Sequence, residues 1–259
     1  MCAMPSNNSW LGSSITCAKS WIFDLGGTLA FEENFSTLET ARIDGIRTTL
    51  EMIGLPSGDV ELVWNKMHEV RIQKESLGEP VSADEIARFV REHTNLPSSF
   101  DDQLKKNLVA PPARAEKLQT ADGARELLAY LKVRGLQLGL LSNSYLSSGA
   151  AARIWLQQEG ILSEFVQAAV LFSDEIGVAK PDSRAFTSCL EILRTEPQDA
   201  IMVGDSLEFD IAPAQSLGMN AIWMSRRESP DVTGTATYHI FASLNDILEA
   251  IKTGAKYDR

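Results

Sequence analysis

Five residues of this chain have types and spacing that could do chemistry together: Asp24, Ser142, Lys180, Asp205 and Asp210. Asp24 ends the apolar run Trp21-Ile22-Phe23, Ser142 ends the run Leu136 to Leu141, and Asp205 and Asp210 follow the run Ala200 to Val203. Lys180 precedes Pro181 at a helix start. Carboxylates can attack an electrophile or bind a hard cation, an ammonium neutralises negative charge, and a hydroxyl hydrogen-bonds an anion. Any one of them alone reads as a turn or N-cap residue, so the signal lies in their order and joint occurrence. His68, His93 and His239 are remote from these runs, which argues against a histidine relay or a zinc hydrolase. Cys2, Cys17 and Cys189 are widely separated with no CxxC pair; they suggest neither a disulfide framework nor a zinc site and read as reduced thiols in a cytoplasmic protein.

Composition narrows the partners. The chain has 259 residues, 44% of them apolar, with 35 acidic against 24 basic residues and a net charge of -11. That balance argues against nucleic acid or an anionic membrane as partner, and it makes an anionic substrate puzzling unless a cation bridges the two. No run of about 18 apolar residues is present, so nothing is expected to span a membrane. The length suits one core plus an inserted module. A monomer or homodimer is expected, with the choice between them open.

The elements that must position these residues follow from periodicity. Residues 1–20, rich in Ser, Asn and small side chains without a continuous apolar stretch, are read as a flexible N-terminal arm. From about Phe31 to Leu108 the pattern is helical, without a convincing strand, and Ala110 to Thr120 with Pro111-Pro112 reads as a return linker. After it, Asp122 is the expected N-cap of a helix that Gly135 stops. Strands are then expected at Leu136 to Leu141, Ala168 to Phe172, Ala200 to Val203 and Ala221 to Met224. They alternate with helices at Ala150 to Gln158, Pro181 to Arg194, Asp210 to Leu217 and Leu244 to Ile251. Alternation of this kind predicts an α/β fold, a three-layer Rossmann-like parallel sheet whose site lies at the carboxyl ends of its strands. The division is 21–30 with 118–259 for the core and 31–117 for an inserted helical module.

With these motifs in place, the sequence resembles the haloacid dehalogenase-like superfamily. Phe23-Asp24-Leu25-Gly26-Gly27-Thr28-Leu29 looks like its first motif, Leu141-Ser142-Asn143 its second, Gly177 to Asp182 its third, and Val203 to Asp210 its fourth. The resemblance implies a hydrolase, of the phosphatase type, that divides a hard hydrolysis in two through an aspartyl phosphate on Asp24. It further implies Mg²⁺ held by Asp24, the backbone carbonyl of Gly26, Asp205 and Asp210, the last of which would hold a metal-bound water or orient Lys180. Lys180 would neutralise the nucleophile and transferred group, while Ser142, Asn143, Gly27 and Thr28 bind the phosphoryl oxygens. The inserted module falls where this family places an α-helical cap, and the substrate would be a small phosphorylated metabolite.

One position departs from the pattern. Phosphatases of this type carry an aspartate two places after the nucleophile, as general acid and base; here it is Gly26. Losing such a group costs about 10²–10⁴-fold. Three explanations compete: a leaving group that needs no proton, a substitute carboxylate such as Glu32 or Glu33, or a catalytically weak protein that binds phosphate or a partner. Two sister activities also lack that aspartate. Haloacid dehalogenases have no use for the metal-binding Gly204-Asp205-Ser206, and phosphonatase-like members need a cap lysine, for which Lys66 and Lys74 lie in the right region. Trp64, Lys66, His68, Arg71 and Lys74 fall in one helix, with Arg71 and Lys74, or Trp64 and His68, on a shared face. Such a face could read the leaving group or be the packed and solvated stripes of an ordinary amphipathic helix.

Overall fold

A computed structural model describes residues 18–32, 35–109, 118–144, 148–225 and 238–253. The strands are β1 (Ser20–Phe23), β2 (Ala30–Glu32), β3 (Leu118–Thr120), β4 (Gln137–Ser142), β5 (Val170–Phe172), β6 (Ala200–Gly204), β7 (Asn220–Met224) and β8 (His239–Phe241). The helices are α1 (Phe35–Glu51), α2 (Val60–Ser76), α3 (Ala83–Thr94), α4 (Asp101–Val109), α5 (Ala124–Val133), α6 (Gly149–Gln158), α7 (Ser173–Ile176), α8 (Ser183–Leu193), α9 (Ala212–Ser216) and α10 (Leu244–Thr253).

The main sheet is parallel throughout, in the order β5-β4-β1-β6-β7-β8. Every residue of β1 is buried, as a central strand covered on both faces requires. Its side chains alternate between two cores. Trp21 and Phe23 pack with Leu127, Leu131 and Ile247 on the side of α5 and α10, while Ile22 packs with Phe186 and Leu190 of α8. Phe23 stands opposite both Leu140 and Val203, so β1 hands Asp24 to the carboxyl edge at the centre of the sheet. The expected three-layer α/β core is therefore present.

Helices α1 to α4 have a core of their own, built on Ile46, Leu50, Trp64, Met67, Ile86, Val90, Leu104 and Leu108. Ser82 and Glu85 open α3 with a capping box, each side chain accepting from the other's backbone N–H. Among the described residues, no helix is long and apolar enough to cross a membrane.

Three local expectations are corrected. Ala30 to Glu32 pair antiparallel with Leu118 to Thr120, so an extended ribbon replaces the start of the expected helical run and the end of the expected linker. Each strand of that ribbon is stabilised by a partner far away in the chain and has no periodicity of its own. The N-cap of α5 is Gly123 rather than Asp122, with no side-chain cap. After β6 the chain makes a π-helical turn, Leu207–Ile211, before α9 begins. Side chains hold that wider turn, because Asp210 Oδ2 accepts from Ser206 N (3.0 Å) and Ser206 Oγ accepts from Phe209 N (3.1 Å). In addition β1 starts at Ser20, one residue before the expected boundary, and β8 was not anticipated. The arm up to residue 17, the linker at 110–117 and Glu33 lie outside the described residues.

Candidate active site

Asp24 leaves the sheet at the end of β1 with its N–H still donating to the Val203 carbonyl (2.9 Å), so its side chain stands on a rigid strand end. Lys180 arrives from the segment between α7 and α8. Asn143, just past β4, fixes it at the backbone: Lys180 N donates to Asn143 Oδ1 (2.8 Å) and Asn143 Nδ2 donates to the Lys180 carbonyl (2.9 Å). Thus the second and third motifs are locked together through one side-chain amide. The Lys180 ammonium then donates to Asp24 Oδ1 (2.7 Å) and to Asp210 Oδ1 (2.5 Å).

All three charged groups are nearly inaccessible, at 6% for Asp24, 2% for Lys180 and 1% for Asp210. Burial pushes the Asp24 carboxyl up to about 7, against the pull of Lys180 and with further upward pressure from Asp210 and Asp205. For Lys180, burial works to lower the value, yet the two carboxylates outweigh it and carry the ammonium above its ordinary range. Breaking such a buried arrangement on one side leaves uncompensated charge, which typically costs about 3–5 kcal/mol.

Asp24, Asp205 and Asp210 each present a carboxylate oxygen, and these oxygens lie within 4.8 Å of one another. Asp24 Oδ2 is buried with no hydrogen-bond partner, although Oδ1 is held by Lys180. An all-oxygen set with an orphaned anionic atom fits a hard divalent cation. Asp210 differs from the other two, since one oxygen serves Lys180 and the other the Ser206 N–H. Asp205 is exposed, and its backbone carbonyl accepts from Trp223 Nε1 (2.9 Å), a contact that the sequence did not suggest.

Gly27 contributes space. Its φ is +80°, and a Cβ there would sit 2.1 Å from Asp205 Oδ2, so only glycine lets the first loop close on the fourth motif. Its N–H donates to the Ala30 carbonyl (2.7 Å), which closes the loop that follows Asp24. Thr28 is buried with an unpartnered hydroxyl. Ser142 is buried at the end of β4. Beyond it, Ser144 N donates to Ser173 Oγ (2.8 Å) and Ser144 Oγ bonds Asp174, which ties the second-motif loop to α7. Gly26 bridges to Ala30, and a Cβ built on it meets nothing within 4 Å.

In the helical segment, the face containing Trp64 and His68 is an edge-on ring contact, with centroids 5.1 Å apart. Lys74 donates to Glu85 (2.7 Å) and Lys66 is exposed, so neither offers the buried amine that a phosphonatase-like site would need. Sequence reasoning missed Glu75. It is a buried carboxylate at the end of α2, on the same stripe as Val60, Trp64, Met67 and Arg71. The available signal was a charged residue at a position where that stripe calls for an apolar one.

The haloacid dehalogenase-like hydrolase family model matches residues 19–218, and the chain belongs to that family. It is 30% identical over 176 residues to a phosphoserine phosphatase of Thermus thermophilus, covering 68% of this chain and 62% of that relative. It is also 30% identical over 167 residues to a glyceraldehyde 3-phosphate phosphatase of Pyrococcus furiosus, covering 56% of this chain and 66% of the relative. The chain thus spans a little under two thirds of the length of these curated relatives. The crystal structure of a HAD phosphatase from Thermococcus onnurineus superposes with a TM-score of 0.61 at 25% identity, covering 92% of this chain and 99% of that one.

Proposed function

We propose that this chain is a Mg²⁺-dependent phosphatase that forms an aspartyl phosphate on Asp24 and acts on a small phosphorylated metabolite. The observation that carries this reading is the divided state of the Asp24 carboxylate. One oxygen is held by Lys180, and the other is buried, unpartnered and close to the carboxylates of Asp205 and Asp210. Phosphatase relatives with small phosphorylated substrates in their names support the substrate class.

Asp24, Asp205 and the Gly26 carbonyl would hold the ion, with Asp210 in support. Bound there, Mg²⁺ supplies positive charge between two anions that would otherwise repel. Asp24 attacks phosphorus from a carboxylate fixed at a strand end. Lys180, clamped by Asn143 and steered by Asp210, neutralises the phosphoryl oxygens. Ser142 and Asn143 lie at the end of the neighbouring strand, where they can donate to the same oxygens. Helices α1 to α4 act as a cap, with 21–30 and 118–259 as the catalytic core and 31–117 as the cap module. A monomer or homodimer in the cytoplasm, with no nucleic-acid or membrane partner, completes the reading; the net charge of -11 supports it.

Gly26 favours a second reading, a phosphate- or partner-binding protein with weak turnover. Release of phosphate from an aryl ester, followed with and without Mg²⁺, separates the two. The enzyme reading expects Mg²⁺-dependent release that Asp24→Asn abolishes. Absence of turnover across a broad phosphate panel would favour binding, and metal-independent chloride release from a 2-haloacid would select a dehalogenase.

A further inference from the structure

The helical segment meets the core beside Lys180. Gly78 N–H donates to the Glu75 carbonyl (2.8 Å), and the Gly78 carbonyl accepts from the N–H of Ala179 (2.8 Å), the residue before Lys180. Gly78 has a φ of +76°, and a Cβ there would lie 2.5 Å from the Cβ of Asp182, so its backbone is pressed onto the loop that carries the lysine. Glu75 therefore stands three residues from a direct contact with the third motif. Its carboxylate is buried; Arg71 Nη1 donates to Oε2 (3.1 Å), whereas Oε1 is buried and has no partner. Burial pushes this carboxyl above the ordinary glutamate range, opposed by the charges of Arg71 on its own helix and of Lys180 on the core. A buried carboxyl with one open oxygen carries a desolvation cost that calls for an explanation. At the same time the position that would normally hold the proton donor, Gly26, has no side chain.

We propose that Glu75 is the general acid and base of this site, delivered from the helical segment in place of the missing side chain at Gly26; the proposal rests on the phosphatase reading above. In the first half-reaction Asp24 Oδ bonds to phosphorus, the bond from phosphorus to the ester oxygen breaks, and that oxygen leaves as an alcohol with the proton of the Glu75 carboxyl. In the second, the Glu75 carboxylate takes a proton from water, the resulting hydroxide bonds to phosphorus, and the bond from phosphorus to Asp24 breaks. Phosphate is released and both side chains return to their starting forms.

The test compares kcat and kcat/KM for an alkyl and an aryl phosphate, with Mg²⁺, in wild type, Glu75→Gln and the double variant Glu75→Gln with Gly26→Asp. Glu75→Gln should lower kcat/KM for the alkyl ester by about 10²–10⁴-fold, and for the aryl ester, whose phenolate leaves unprotonated, by much less. It should also lower kcat for both esters, because each depends on water activation in the second half-reaction. Asp at position 26, where a Cβ meets nothing within 4 Å, should restore alkyl turnover in the double variant. If Glu75→Gln only raises KM, or leaves the ratio of alkyl to aryl kcat/KM unchanged, Glu75 is a binding or structural residue and the proposal is overturned while the phosphatase reading stands. A wild type that turns over neither ester removes the phosphatase reading and the proposal with it. Should Glu75→Gln prove unstable, Glu75→Asp keeps the charge facing Arg71 and Lys180, and the same ratio decides: a fall supports the proposal and no change overturns it.

Discussion

Lys180 Nζ lies 2.7 Å from Asp24 Oδ1, an ion pair taken out of water at the carboxyl edge of the central strand. The lysine does not satisfy the Asp24 carboxylate alone, because it is shared with Asp210 and leaves Asp24 Oδ2 without a partner. That imbalance has consequences that can be measured.

The first concerns pH and stability. Burial pushes the Asp24 carboxyl from its ordinary value of 3.8 up to about 7 in the fold, so between those values the unfolded chain releases this proton before the folded one does. Unfolding then sheds a proton, and stability from this group falls as pH rises from about 4 to about 7, levelling above that. Denaturant unfolding in the presence of a chelator should show this slope in wild type relative to Asp24→Asn. The variant should gain relative stability toward pH 8. An identical pH dependence in the two proteins would mean that Asp24 carries no such stress.

The second concerns Lys180. Lys180→Met should leave Asp24 and Asp210 buried without their cation, at a cost of about 3–5 kcal/mol. Pairing it with Asp24→Asn should return part of that loss. The double-mutant cycle, read from denaturation midpoints, checks the coupling, and strict additivity would argue against it.

The third uses the amide that joins two motifs. Asn143→Ala removes both hydrogen bonds to the Lys180 backbone without touching its charge. Turnover should fall by about 10²-fold through misplacement of the ammonium, as small positional errors at catalytic groups do. If kcat is unchanged and only KM rises, Asn143 serves substrate binding and not the placement of Lys180.

The fourth is steric. Gly27→Ala would put a methyl group 2.1 Å from Asp205 Oδ2 at a left-handed backbone position, which by itself costs about 1–2 kcal/mol. The Mg²⁺ concentration for half-maximal turnover should rise by at least about tenfold, in the range found when groups that orient metal ligands are lost. An unaltered metal titration would show that Asp205 has no part in holding the ion.

Much of the core was legible because its parts announce themselves locally. Apolar runs that end abruptly in Asp24, Ser142 and Asp205 mark buried strands delivering polar residues to an edge, and the sheet indeed carries them there. The ribbon of Ala30 to Glu32 with Leu118 to Thr120 was hidden, since pairing across the whole helical segment creates it and neither strand has enough residues for a pattern. Asp210 read as the start of a helix, but its carboxylate is drawn back to Ser206 and Lys180 and the turn widens around it. Glu75 escaped for a related reason. The field of Lys180 reaches it only when the chain just after α2 meets the third motif, more than a hundred positions further along.

A covalent phosphoryl bond to Asp24 is the most direct mark of the proposed mechanism. Protein mixed with an aryl phosphate and Mg²⁺, quenched in acid and mapped by peptide mass spectrometry, should carry one hydroxylamine-labile phosphoryl group on the peptide containing Asp24. Asp24→Asn should carry none. Steady Mg²⁺-dependent turnover with no such adduct at Asp24 at any quench time, or with activity retained in Asp24→Asn, would contradict it.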